Sequence, residues 1–219
     1  MSVSASLRAA LGDFYGQSWR MLVLGSALSA FVVATLVSGL WFTPVLGLLL
    51  LAGPFAAAVM HCTVTLVQTD DLSLWDAETG VRLHWRRGFV LGLLVLGAAA
   101  ATALAVPFYA AMGGLAWPLA LLALYLAAVF GVVQLLLWPL AVAERDRPLT
   151  EVAQQALVRT LRRPAAAGAL ALALLVINVA GLAAALLPFL MLTVGYSFLA
   201  AAHFALPRTD PGGATAWRA

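Results

Sequence analysis

The chain has 219 residues, 64% of them hydrophobic and only 10% charged, with a mean hydropathy of +1.02. Soluble domains carry about a quarter charged residues, so an ordinary water-exposed globule is excluded and lipid is the expected solvent. The net charge of +3 rests on arginine alone, because lysine is absent; arginines set beside long apolar runs fit a membrane surface, not nucleic acid.

The first element is the amphipathic stretch LRAALGDFYGQSWR, Leu7 to Arg20, with Leu7, Ala10, Leu11, Phe14 and Ser18 on one helical face. Charge then stops. Between Arg20 and Asp70, 49 residues carry no Asp, Glu, Lys or Arg. One crossing of the hydrocarbon needs about 20 residues, so the gap fits two helices and a turn. Leu40-Trp41-Phe42-Thr43-Pro44 supplies the turn, and spans near 19–40 and 44–69 are expected. The apolar run Met21 to Leu40 exceeds a typical secretory-signal core of about 7–15 residues, so it is expected to be a retained anchor. Gly53-Pro54 should kink or interrupt the second span for packing reasons. Cys62, the only cysteine, excludes an intrachain disulfide and a cysteine-rich metal site and reads as a small buried residue.

The middle segment, SLWDAETGVRLHWRR, runs from Ser73 to Arg87. Ser73 and Asp76 have capping-box spacing, while Gly80 weakens the helical pattern. After Arg87, 56 residues pass without a charge, and Gly113-Gly114 with Trp117-Pro118 marks the turn between spans near 87–111 and 116–142. Trp138-Pro139 is expected to be an interface anchor and kink. The third lead-in, LTEVAQQALVRTLRR, Leu149 to Arg163, has the cleanest stripe: Leu149, Val152, Ala153, Ala156, Leu157, Thr160 and Leu161 share a face. A last gap of 44 residues lies between Arg163 and Arg208, with Pro188 as the turn between spans near 165–186 and 188–207.

These elements make an all-α, polytopic membrane protein: six transmembrane helices as three hairpins, with short cytoplasmic amphipathic helices. It reads as one integral membrane domain over 1–219, in which 7–69, 72–142 and 149–207 are candidate repeats of one lead-in plus one hairpin and 208–219 is a flexible cytoplasmic tail. All twelve arginines fall on one side of that topology. The positive-inside rule then places both termini in the cytoplasm.

No phosphate loop, HExxH, GxSxG or cysteine-rich metal pattern appears. No catalytic residue, cofactor or metal ligand is therefore assigned, and the chain is expected not to be an enzyme. The intramembrane polar candidates are His61, Gln134, Asn178 and His203. His61, Gln134 and His203 fall in the cytoplasmic halves of inward-running helices, where they could converge on a ligand or could simply bridge helices. A second candidate is a cytoplasmic surface for anionic lipid or a protein partner, made of Arg82, Arg86, Arg87, Arg159, Arg162 and Arg163. In LHWRRGFVLG, Leu83 to Gly92, Trp85 is expected at the interface with Arg86 and Arg87 in water or headgroups.

Two stretches, LAGPFAAAVMHCTVTLVQTDDLSLWDAETGVRLHWRRGFVLGLL (Leu51 to Leu94) and WPLAVAERDRPLTEVAQQALVRTLRRP (Trp138 to Pro164), resemble the YesL-like family of bacterial membrane proteins. The resemblance covers most of the chain. It implies a multi-pass protein of the bacterial plasma (inner) membrane, sometimes linked to carbohydrate uptake, and supplies no catalytic residues. The expected function is accessory to a carbohydrate ABC transporter or another membrane complex. The expected partners are the bilayer and either a transporter complex or a second copy; the alternative is a small-solute permease or channel.

Overall fold

The computed structural model describes residues 3–16, 18–69, 71–183 and 187–206. The tail 208–219 and the third hairpin turn lie outside them. Every regular element among these residues is helical, in the order α1 (Val3–Gly16), α2 (Ser18–Trp41), a 3-10 segment (Thr43–Leu51), α3 (Ala52–Thr69), α4 (Leu74–Met112), a short 3-10 turn (Gly114–Ala116), α5 (Trp117–Ala143), α6 (Leu149–Arg162), α7 (Pro164–Ala183) and α8 (Leu187–Ala205).

Five helical stretches are long and apolar enough to cross a membrane: Trp19–Trp41, Thr43–Thr69, Trp75–Met112, Trp117–Ala143 and Pro164–Gly181. The sixth expected span corresponds to α8. It has 19 residues, and its described apolar stretch, Leu192–Ala205, is shorter than a full crossing.

The turns follow their residue chemistry. Phe42 is extended after α2, and Pro44 opens the 3-10 segment, where its missing N–H costs nothing. Gly113 and Gly114 turn the second hairpin at φ +64° and +53°, a left-handed region that favours glycine. The helix type changes from 3-10 to α at Leu51–Ala52, just before Gly53-Pro54. Proline at that position cannot complete the usual bond to the carbonyl four residues back, which suits a change of winding there.

One element departs from the expected pattern. The middle lead-in is not a separate short helix: α4 runs unbroken for 39 residues. At 1.5 Å per residue that is about 58 Å, roughly twice the hydrocarbon thickness. No proline stands at Arg87-Gly88 to stop it, whereas Pro164 ends the run of α6 at Arg163. The expected capping box is present: Asp76 accepts from the Ser73 N–H at 2.8 Å, and Ser73 Oγ accepts from the Trp75 N–H at 3.3 Å.

Helix α8 is the hub, packing against α1, α2, α3, α5 and α7. Its last two turns are sealed, with Leu199, Ala200, Ala202 and His203 all buried. The α3–α4 contact is the most extensive in the molecule and is made by glycine. A Cβ on Gly88 would lie 2.8 Å from Ala57 Cβ and from Pro54 Cα, and one on Gly92 would lie 2.7 Å from Gly53 Cα. Gly88 and Gly92 thus form a small-xxx-small pair that lets two backbones touch.

The core sits at the arginine end. Buried side chains concentrate in α3 (Ala57 to Val67), the last turns of α5 (Gln134 to Val142), α6 and the end of α8. Trp138, expected at an interface, packs against this core. Toward the far end burial stops. Among the described side chains of residues 93–131, Ala120 alone is buried.

Candidate functional site: the polar layer at the arginine end

A helix ends with carbonyls that have no partner in the helix and with the negative pole of its dipole, so an arginine at that point supplies both hydrogen bonds and charge. Two arginines, Arg87 and Arg159, do this, and a third, Arg20, ties the loop that follows α3. Arg20, in the first turn of α2, donates to the Leu72 carbonyl just past α3 and pairs with Asp71 at 3.4 Å. Arg87 of α4 donates to Ala141 O at 2.9 Å and Glu144 O at 3.1 Å, at the end of α5, and also to the Arg147 carbonyl. Arg159 of α6 donates to Ala205 O, at the end of α8, at 3.2 Å. Arg87 and Arg159 thus each hold the end of another helix, and Arg20 holds the loop that follows α3.

This divides the six-arginine surface expected from sequence. Arg87 and Arg159 are structural caps, so Arg87 is not simply held in water or headgroups: its guanidinium is turned onto α5. Arg82 pairs with Glu78 at 2.6 Å, one turn away. Arg86 lies over the ring of its neighbour Trp85, 5.7 Å from the centroid. Arg162 and Arg163 are exposed at the α6–α7 elbow.

The histidines find partners that local periodicity does not reveal. Asp76, Gly80 and His84 recur every four residues on one face of α4, and His61 of α3 packs into the gap left by Gly80. A Cβ there would stand 2.9 Å from His61 Cβ and 3.1 Å from its Cδ2. The His61 ring lies 5.2 Å from the His84 ring, tilted by 44°. His84 is buried, and its Nδ1 has no hydrogen-bond partner among the described residues. His203, buried, pairs through Nε2 with the part-buried Asp13 of α1 at 2.8 Å. Beside it the Tyr196 hydroxyl donates to Leu7 O at 3.1 Å, and Phe14 meets Tyr196 edge-on. Helix α1 is therefore clamped onto α8.

Asn178 and Gln134 differ again. The Asn178 amide donates to Ser197 Oγ and to Leu174 O, both at 2.8 Å, and so bridges α7 to α8. Gln134 is buried on α5, and neither end of its amide is bonded among the described residues. The four candidates from sequence thus engage different helices: His61 meets α4, His203 meets α1, Asn178 meets α8, and Gln134 stands without a bond. An apolar crevice of about 250 Å³ lies between α2, α3 and α8, lined by Leu28, Ser29, Val32, Ala52, Ala56 and Val194. The Ser29 hydroxyl is buried there without a partner among the described residues. Among the described residues, no group of three His, Cys, Asp or Glu side chains could hold a metal ion.

His84 and Asp13 are the partners that sequence reasoning missed. The spacing Asp76-Gly80-His84, one face of a helix with its centre left open, was the available signal for the first. Nothing local pointed to the second.

Fold and site together define an all-helical protein built around long apolar helices, capped and clamped at its arginine end. No protein-family model, curated protein or solved structure matches the chain.

Proposed function

We propose that this chain is a non-enzymatic, six-span protein of the bacterial plasma membrane, with both termini in the cytoplasm, and that it serves as an accessory subunit of a larger membrane complex. A carbohydrate ABC transporter is the first candidate, on the YesL-like resemblance of residues 51–94 and 138–164. The observation that carries the reading is the uncovered arm formed by the far halves of α4 and α5. Leu104 is 73% exposed, Phe108 59%, Leu122 50% and Tyr125 64%. Apolar faces open on several sides of a two-helix hairpin suit packing against other spanning helices. The strapped arginine end favours a rigid support over a moving gate. Photo-crosslinking residues placed at Phe108 and Tyr125, activated in native membranes, should each yield one discrete protein adduct. Adducts to lipid alone would remove the reading.

A second reading, a small-solute permease, is favoured by the unbonded Gln134 amide and the Ser29 hydroxyl inside the bundle. It requires solute flux into liposomes that Gln134→Leu abolishes.

A further inference from the structure

Helix α6 carries two apolar stripes, and only one faces the protein. Val152, Ala156 and Thr160 are buried against the bundle. Leu157 and Leu161, one helical turn apart, are 43% and 67% exposed. At 100° per residue they continue the buried face around one flank of the helix instead of opposing it. The remaining arc carries Gln154, Glu151, Arg162 and Gln155, with the half-exposed Val158 among them, and Arg163 follows as the residue that ends the helix. Such a helix sits in a corner, with bundle on one side, hydrocarbon on the next and water on the third.

The charges at its end are uncommitted. Arg82 has Glu78, while Arg87 and Arg159 hold helix ends. The Arg162 and Arg163 guanidiniums have neither a hydrogen bond nor an ion pair among the described residues. The nearest acidic residue along α6 is Glu151, about 16 Å away at helical rise. Glu144, past the far end of the helix, is paired with Arg147. Pro164 then starts α7, one of the five apolar helices, so the elbow lies where a spanning helix leaves the lipid surface.

We infer that the α6–α7 elbow, formed by Leu157, Leu161, Arg162 and Arg163, binds an anionic phospholipid. Its phosphodiester takes the two guanidiniums, and its acyl chains lie along Leu157 and Leu161. Planar guanidinium forks match phosphate oxygens in a bidentate way that a point charge does not. The adjacent exposed leucines offer an apolar surface that acyl chains cover, which selects a lipid over a water-borne acidic protein.

The test uses the full chain in detergent, titrated with phosphatidylglycerol and separately with phosphatidylcholine, with bound lipid counted by native mass spectrometry. The wild type should prefer phosphatidylglycerol. Arg162→Gln with Arg163→Gln should weaken that binding about 25-fold, the product of about five-fold per surface cation, and leave phosphatidylcholine binding unchanged. An Arg162→Lys, Arg163→Lys chain, which keeps the charge but loses the planar fork, should recover only part of the preference. A photoactivatable phosphatidylglycerol should mark residues 157–163. Equal binding of the two lipids by the wild type, an unchanged affinity in the glutamine variant, or adducts only elsewhere on the chain would each overturn the inference.

Discussion

Arg86 and Arg87 are adjacent, chemically identical and differently used. Arg86 is exposed over Trp85, whereas Arg87 reaches the carbonyls that close α5. Charge-assisted bonds to otherwise unpaired helix ends are among the stronger polar contacts a side chain can make. Arg87→Gln is expected to lower stability in detergent by about 2–4 kcal/mol. Arg86→Gln should stay within about 0.5 kcal/mol, as surface changes usually do. Thermal unfolding of the two purified variants checks this, and equal losses would show that Arg87 is no cap. Sequence announced the pair but could not rank its members, because rank depends on where a helix 54 residues away ends.

At the scale of elements, the α3–α4 contact depends on three glycines, two of which lie in the LHWRRGFVLG stretch. Without a driving force from water, apolar helices associate by close packing, and backbone approach sets how close. Gly88→Val pushes a side chain into Gly53, Pro54 and Ala57. It is expected to destabilise the fold by about 1–3 kcal/mol, as overpacking does. At Gly97, on the same helix, an added Cβ meets nothing within 4 Å, so Gly97→Val should change stability little. Comparing the two unfolding midpoints separates packing from loss of glycine as such. Gly80 belongs to the same logic. Its cost to helix propensity was visible in the sequence, and its reason, the His61 ring lying against it, was not.

For the whole molecule, the even distribution of apolar residues along six stretches conceals an uneven core. Burial gathers at the arginine end, while the arm of α4 and α5 stays open. The proposed orientation places the Gly113-Gly114 turn outside the cell. Gly114→Cys should react with a membrane-impermeant thiol reagent added to intact cells, while Cys62, fully buried, stays unlabelled. Labelling only after the membrane is opened would reverse the orientation.

By itself the sequence determined what is local along the chain. Charge gaps of 44 to 56 residues required long apolar helices, Pro44 and Gly113-Gly114 set two turns, and Ser73 with Asp76 set a helix start. Each follows from neighbouring residues, so one chain suffices to read it. Only the tertiary structure decided which polar groups meet. His203 and Asp13 are 190 residues apart, and the His61 ring lies against that of His84 on the next helix. It also decided that α4 runs on without a break and that the core lies at one end. The physical reason is the solvent. In water, a helix shows its buried face by contrast with a polar one. In a lipid-like chain, core-facing and lipid-facing residues are equally apolar, so periodicity is silent about which face packs. Contacts between distant helices have to be seen.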